Sequence, residues 1–405
     1  MRHIIMAVVF AVIVPVMTYA NVLGIFESTG FPAGLESDGD GRHRLEIVDN
    51  GLYASTENGI YRYSEETSSW HCWALEGFNV IDFKVYGENV VAIVVPEGWE
   101  NFRNVEAARL VRINRSQPEP EDIAAPDMGL DYYGKKLMYL MRLAQHPERP
   151  ETLMVAAYPG IWISEDFGTT WSLKIDYLFT YNENQFLGWH PLDPEVMFYT
   201  SESEGFAAQI LRSGNGGSQW NIINPPIAGD NSCHHLAFDP DNSNHILFSG
   251  EGVVCGSNDC GSTWRIVYQQ DRFNDDSVIG YAYNVMFDPV NPDVVYVVGA
   301  DSTVQNIRII KSQDRGMTWT PLARSEPFED HDYWIHESVM FNGRIYLYTH
   351  AGVLAYDPDR SSGVNGIRID TPAADTPVYD LYGRKVTELI PGSLYIRQDE
   401  KFIAK

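Results

Sequence analysis

Short apolar segments rich in valine, tyrosine and phenylalanine recur along this chain, and turn residues separate them. In four places the same order repeats: one apolar segment ends at His-Pro or Asp-Pro, a second follows, and a third leads into an eight-residue motif ending in tryptophan. These repeats begin at Ala144, Gly188, Ala237 and Met286. Short apolar runs divided by proline and glycine predict antiparallel hairpins. The pattern therefore predicts an all-β chain built from repeated units.

The eight-residue motifs read SEDFGTTW from Ser164, SGNGGSQW from Ser213, SNDCGSTW from Ser257 and SQDRGMTW from Ser312. They begin 49, 44 and 55 residues apart, which suits units of four short strands. Because one active site does not need four copies, we interpret the motifs as turns in which the acid accepts amide hydrogen bonds, glycine permits an unusual backbone and tryptophan packs between sheets. The residues with this structural role are Asp166, Gly168, Trp171, Asn215, Gly217, Trp220, Asp259, Gly261, Trp264, Asp314, Gly316 and Trp319.

The motif Ser-x-Asp-x-Gly-x-Thr-Trp resembles the Asp box of bacterial neuraminidase repeats, found in sialidases, sortilin-type receptors, xyloglucanases and a photosystem assembly factor. This resemblance implies a β-propeller of four-stranded antiparallel blades. Weaker copies of the strand pattern, one with a degenerate box ending at Trp70, bring the blade count to seven. We expect the segment Val22–Ser28 to close the ring by pairing with the strand at Gly352–Asp357.

The expected organisation is a signal peptide over residues 1–20, one seven-bladed propeller over 21–360, a linker over 361–375 and a tail with a short β-hairpin over 376–405. The apolar run Ile4–Val16 follows Arg2 and leads to Ala20, the order of a secretory signal. The tail from Val378 resembles the short C-terminal segments of exported Bacteroidetes proteins. We therefore expect export through the Sec route to the periplasm, the cell surface or the medium.

The net charge of −26 argues against binding to nucleic acid or to anionic membranes. We expect a monomer without a cofactor or a membrane span. Four cysteines are too few to form the framework of a fold of this size. Cys255 and Cys260 are the candidate disulfide, and Cys72 and Cys233 are expected to be free.

The blade-to-blade loops share one face of a propeller with the channel mouth, where ligands usually bind. In this chain those loops are rich in aromatic residues, histidine and acids, a composition that suits sugar rings and also peptides. The ligand-binding candidates are Tyr177, Trp189, His235, Tyr283, Trp334 and His336. Packing of the loops against one another is the alternative role for these rings.

A metal site near His331, His336 and Glu337 is not expected, because their spacing matches no zinc motif. The Arg-Ile-Pro signature of sialidases is absent, and only Arg44 and Arg142 lie on the expected innermost strands. We therefore predict an exported, non-catalytic binding protein for a glycan or an extended peptide. The alternative is a xyloglucanase-like glycoside hydrolase with two carboxylates on the same face.

Overall fold

The computed structural model describes residues 26–32, 35, 43–96, 108–126, 139–158, 160–176, 184–201, 209–227, 231–270, 278–303, 306–327, 335–359, 378–379, 385–386, 394–397 and 400–403. The strands up to residue 359 are, in chain order, β1 (Phe26–Ser28), β2 (Leu45–Val48), β3 (Gly51–Thr56), β4 (Gly59–Ser64), β5 (Ser69–Ala74), β6 (Asn79–Tyr86), β7 (Asn89–Val95), β8 (Arg109–Asn114), β9 (Gln117–Ile123), β10 (Tyr139–Gln145), β11 (Leu153–Tyr158), β12 (Gly160–Ser164), β13 (Ser172–Ile175), β14 (Asn184–His190), β15 (Asp193–Ser201), β16 (Gln209–Ser213), β17 (Asn221–Ile223), β18 (His235–Phe238), β19 (Ile246–Gly250), β20 (Val253–Ser257), β21 (Arg265–Gln269), β22 (Tyr281–Phe287), β23 (Val295–Ala300), β24 (Ile307–Ser312), β25 (Thr320–Arg324), β26 (Ile335–Phe341), β27 (Arg344–Thr349) and β28 (Gly352–Tyr356).

These strands form seven four-stranded antiparallel sheets, which confirms the predicted seven-bladed propeller. Blades 1 to 6 take the strands from β2 to β25 in groups of four, and blade 7 has the order β26, β27, β28, β1. The first strand of each group is innermost. The second strand is covered by the neighbouring blades on both sides, and β23 is therefore buried along its whole length, whereas outer strand β13 exposes three of its four residues.

The N-terminal strand closes the ring, as predicted, over the part of it that the structure describes. In the β1–β28 pair, Phe26 lies opposite Tyr356. The Thr29 hydroxyl donates to the carbonyl oxygen of Val353 at 2.6 Å and accepts a hydrogen bond from the indole Nε1 of Trp70 at 2.9 Å. One buried hydroxyl therefore joins the closing segment, blade 7 and blade 1.

Thr29→Val should lower the free energy of unfolding by about 1–3 kcal/mol, because it leaves a buried carbonyl and a buried indole N–H without their partner. Urea unfolding measures the change. The matched control is Thr320→Val, where the hydroxyl makes an exposed hydrogen bond to the carbonyl of Lys311. Equal losses in the two variants would contradict a special role for Thr29 in closure.

The Asp boxes form the connections between the third and fourth strands and lie on the face we call the lower face. In blade 3, Asp166 Oδ1 accepts hydrogen bonds from the backbone N–H of Thr170 and the hydroxyl of Ser164, both at 2.8 Å. The Gly168 N–H donates to Ser164 Oγ at 2.7 Å, and Gly168 has a φ of 83°, in the left-handed region that favours glycine. The same side-chain acceptor recurs in the other boxes, with Asn215, Asp259 and Asp314 as acceptors.

The ionised form of the box carboxylates is favoured by these contacts. Burial raises the pKa of Asp166, Asp259 and Asp314, but hydrogen bonds from the box threonine and serine outweigh it and hold each pKa below its usual value. The boxes thus have satisfied carboxylates in turns at the lower face, away from the blade-to-blade loops.

Asp166→Ala should destabilise the protein by about 1–3 kcal/mol through the loss of these hydrogen bonds, and it should leave ligand binding intact. Thermal unfolding and a binding assay on the same preparation test both parts. The control is Glu165→Ala at the exposed neighbouring position. Lost binding with intact stability would assign the boxes a functional role instead.

The His-Pro and Asp-Pro residues close the turns between the first and second strands. The Nδ1 atom of His146 accepts the backbone N–H groups of Glu148 and Arg149, both at 3.1 Å. Aspartate oxygens do the same in blades 5 and 6. Burial lowers the pKa of His146 and keeps the ring in the neutral form that can accept a hydrogen bond. Histidine and aspartate are interchangeable here because both supply an acceptor to the turn.

The predicted Cys255–Cys260 disulfide is wrong, because both residues are free thiols. Cys255 lies within β20 opposite Phe248 and is fully buried. Cys260 lies in the box turn at a φ of 54°, where its N–H donates to the carbonyl of Asn244 and its carbonyl accepts from Arg212. The strand register and the box hydrogen bonds fix these two backbone positions without a covalent link.

The C-terminal tail forms a separate sheet of β29 (Val378–Tyr379), β30 (Lys385–Val386), β31 (Leu394–Arg397) and β32 (Glu400–Ile403). Its strand order is β30, β29, β31, β32, and β31 and β32 pair as a hairpin. The predicted signal peptide and linker lie outside the described residues. Among the residues that are described, no helix is long and apolar enough to cross a membrane.

Candidate functional site in the central channel

Backbone bulges set the direction of the side chains at the centre of the ring. Five of the seven innermost strands, β6, β10, β14, β22 and β26, shift register by one residue at the same level, near the face that carries the blade-to-blade loops, which we call the upper face. A bulge twists a strand and redirects the side chain that follows it. The residues that follow the five shifts are Asp82, Arg142, Phe186, Asn284 and Glu337.

Glu337 of blade 7 is the centre of a buried polar group that we call the axial cluster, formed with Arg44, Arg142, His235 and Asn284. The Oε2 atom of Glu337 lies 3.0 Å from Arg142 Nη2 and 3.5 Å from Arg44 Nη1. Its Oε1 atom lies 3.4 Å from Asn284 Nδ2 and 3.8 Å from His235 Nε2. Five blades therefore meet at one carboxylate across the channel.

The side chains of the axial cluster are largely withdrawn from solvent. Glu337 has 7% of its side chain exposed, Arg44 10%, Arg142 11% and His235 19%. Burial lowers the pKa of His235, and the neighbouring arginines act in the same direction, while Glu337 and the carbonyl of Val285 oppose it. With His235 neutral, the cluster holds two positive charges and one negative charge.

A second charged group lies next to the axial cluster. Lys84 is paired with Glu46 and lies 3.3 Å from Asp82 Oδ1. Asp82 also accepts the N–H of Leu143 in the next blade at 2.8 Å. Burial lowers the pKa of Lys84, but the two carboxylates outweigh it and raise the pKa overall. Asp82 therefore joins blades 2 and 3, and its carboxylate is already occupied.

His336 is the extra, unpaired residue in the bulge of β26. Its side chain points away from Glu337 into a cluster of rings. Its ring lies 5.8 Å from that of Tyr348, which in turn lies 6.0 Å from the ring of His43. Burial lowers the pKa of His336 to about 3, with further contributions from His43, Arg44 and His350. The Nε2 atom of His336 forms no hydrogen bond with any described residue.

The sequence-predicted ligand candidates that the structure describes do not form one group. Tyr177 and Trp334 lie outside the described residues. Trp189 is 7% exposed and packs on the ring of His146 near the lower end of β14, so its ring is used in packing between blades.

Two of the remaining candidates are buried, and one belongs to the axial cluster. Tyr283 is 6% exposed and packs against the rings of Tyr281 and His234. His336 is also buried, so His235 alone of these candidates contacts Glu337. Within the described part of the chain, no three histidine, cysteine or acidic side chains could hold a metal ion together.

Sequence reasoning missed Asn284 and did not join Glu337 to the two arginines. The sequence did contain one indication of this cluster, namely Arg44 and Arg142 on innermost strands, where an unpaired charge would be costly. That signal calls for an acidic partner on another innermost strand, and Glu337 is that partner. The partner could not be chosen from spacing, because these residues are about 195 to 293 positions apart.

Chemically, the axial cluster is suited to holding a structure together and to presenting donors, and it is poorly suited to acid–base catalysis. Both oxygens of Glu337 are occupied by cationic or amide groups, so proton transfer would require breaking a buried ion pair. Asp82 and Glu46 are likewise paired. The described carboxylates of the channel therefore do not form an open pair that could flank a glycosidic bond.

Comparison with known proteins finds similarity in sequence and in fold. No family model matches the chain. A xyloglucanase from Paenibacillus sp. is 30% identical over 197 residues, which cover 41% of this chain and 18% of the relative. The chain therefore spans less than a fifth of the length of that curated relative.

Two solved structures share the fold. A GH74 enzyme from Niastella koreensis superposes with a TM-score of 0.60 at 17% identity and covers 93% of this chain and 58% of its own. YCF48 bound to a D1 peptide superposes with a TM-score of 0.50 at 12% identity and covers 78% of this chain and 94% of its own. The motifs, the seven blades and these superpositions together identify the chain as a seven-bladed β-propeller of the Asp-box type.

Proposed function

We propose that this chain is an exported glycan-binding protein whose ligand occupies the upper face, above the axial cluster, without being hydrolysed. The observation that carries the proposal is that both carboxylate oxygens of Glu337 are bound, by two arginines and an amide. The propeller that contains this carboxylate is similar in sequence to a xyloglucanase. The similarity supports a glycan as ligand, and the occupied carboxylates support binding over cleavage.

The geometry suits this function because the axial cluster forms a rigid base near the upper end of the channel. Residues from four other blades converge on Glu337 of blade 7, so the inner ends of these five blades are held together before any ligand arrives. A preorganised surface loses little conformational entropy on binding. The loops that the sequence predicts for this face are rich in aromatic residues and acids, the stacking and hydrogen-bonding groups that sugars require.

An extended peptide is the second candidate ligand, because the propeller of YCF48 has been solved with a D1 peptide. The net charge of −26 favours neutral or cationic ligands in either class. The glycan remains the first choice because the sequence similarity is to an enzyme named for a glycan.

Affinity electrophoresis in gels containing xyloglucan or other neutral polysaccharides, run beside a peptide array, tests the ligand class. The expected result is retardation of the full chain by a neutral polysaccharide. Trp334→Ala, at a position that the sequence predicts to lie in a blade-to-blade loop, should weaken it, and Trp189→Ala should weaken it only as far as it destabilises the fold. Binding to peptides with no retardation by any polysaccharide would overturn the proposal.

A further inference from the structure

A cavity of about 520 Å³ lies on blade 1, at the seam with blade 7 and away from the axial cluster. Blade 7 contributes Phe341 to its wall, and blade 1 contributes residues of β4, β5 and the turn that joins them. A volume of this size falls within the range of small-molecule binding sites. We call it the seam cavity.

The seam cavity occurs where the Asp box is degenerate. In blade 3, the strands flanking the box end at Ser164 and resume at Ser172, whereas in blade 1 they end at Ser64 and resume at Ser69. The blade 1 turn is therefore shorter by three residues, since seven residues lie between the strands in blade 3 and four in blade 1.

The full-length boxes fill the corresponding space in other blades. Phe167, in the box of blade 3, packs on the ring of Tyr86 in blade 2 at 5.7 Å. Arg315, in the box of blade 6, makes two hydrogen bonds to the carboxylate of Asp239 in blade 5. The short turn of blade 1 has no aromatic ring or guanidinium. Its Glu65 accepts a hydrogen bond from Asn342 of blade 7 at 2.8 Å, and a cavity remains beside this contact.

The wall of the seam cavity combines aromatic rings with hydrogen-bonding groups. Trp73 is half-buried on the side of blade 1 that faces blade 2, where its ring is held in place by Tyr53 at 4.8 Å and by the guanidinium of Arg115 of blade 2 at 5.0 Å. Arg62 and His71 are exposed and lie opposite each other in the β4–β5 register. An oriented aromatic ring beside exposed donors is the arrangement that recognises a sugar, which has apolar C–H faces and a rim of hydroxyls.

The charges around the seam cavity disfavour an anionic ligand. Glu65 and Glu66 line it together with Arg62, so acids outnumber the guanidinium. The net charge of the chain is also strongly negative. We propose that the seam cavity is a second ligand site, which takes a neutral saccharide and is independent of the proposed upper-face site.

Cys72 provides a reporter for this proposal, because it is an exposed thiol in the wall of the seam cavity, whereas Cys233 and Cys255 are buried. The rate of its alkylation by N-ethylmaleimide is measured by mass spectrometry of the Cys72 peptide, with cellotriose, xylotriose, mannotriose or trigalacturonic acid present. At ten times the dissociation constant of a bound sugar, protection of about tenfold is expected. Neutral trisaccharides should protect, and the anionic one should not.

The double variant Arg62→Ala, His71→Ala should lose this protection, and Arg109→Ala, an exposed arginine on the third strand of blade 2, should keep it. Circular dichroism of each variant checks the fold. Unchanged alkylation with all three neutral trisaccharides, or protection that persists in the double variant, would overturn the proposal. Polysaccharide retardation by the upper face should be unaffected in the double variant, so failure here leaves the proposed function standing.

Discussion

Glu337→Gln should lower the free energy of unfolding by about 3–5 kcal/mol, because it leaves the buried guanidinium groups of Arg44 and Arg142 without their shared counter-charge. Glutamine has the shape of glutamate and can still accept a hydrogen bond, so the effect reports the charge rather than a cavity. Urea unfolding followed by circular dichroism measures the loss.

The control is Asp122→Asn, which removes the charge from an exposed pair with Arg109 whose oxygen–nitrogen distance is 2.7 Å. Exposed pairs contribute roughly 0–1 kcal/mol, so this variant should unfold much like the wild type. If Glu337→Gln were no more destabilising than the control, the axial cluster would not be what holds the inner ends of the blades together.

Acidification should destabilise the protein from about pH 6.5 downward, because buried histidines are neutral in the fold and charged in the unfolded chain. Burial lowers the pKa of His336 to about 3 from an ordinary 6.5, so its contribution is complete above pH 6.5 and is lost as the pH falls towards 3. At pH 4.5, two units below 6.5, this histidine alone should cost about 3 kcal/mol.

Other groups change the size of this effect. Burial also lowers the pKa of His146, His190 and His235, and these add to the loss with the same sign. Burial raises the pKa of Glu46, which adds stability as the pH falls and offsets part of the loss. The box aspartates, whose pKa values are lowered, also lose their contribution as the pH falls, so the net effect of acidification is a loss of stability.

Unfolding free energies at pH 7 and pH 4.5 for the wild type and His336→Leu measure the contribution of this residue. The difference between the two pH values should be smaller in the variant by about 3 kcal/mol. His71→Leu, on the exposed side of β5, should keep the pH profile of the wild type. A His336→Leu profile identical to that of the wild type would show that His336 is not a buried neutral ring.

The repeat architecture could be predicted because its determinants are local. A box needs an acceptor such as Asp166, a glycine such as Gly168 and a tryptophan at fixed spacing, and these neighbours along the chain make the turn by themselves. The closing strand could be predicted because blade 7 lacked an outer strand and the N-terminal segment had the right pattern.

The channel could not be predicted, because its side chains are directed by bulges that leave no clear sequence signature. A bulge reverses the facing of the residues beyond it, so period-two reasoning assigns Asn284 and Glu337 to the wrong side of their strands. Trp189 follows a predicted loop closely in the sequence, but in the fold it lies at the lower end of its strand. Its ring packs there against the ring of His146.

Binding without cleavage can be measured by incubating the full chain with xyloglucan and determining new reducing ends and retained polymer in the same sample. We expect protein and polysaccharide to co-migrate in affinity electrophoresis while the number of reducing ends stays at the level of a protein-free blank. Release of reducing ends in proportion to protein concentration and time would contradict it and would assign two carboxylates of the upper-face loops to catalysis.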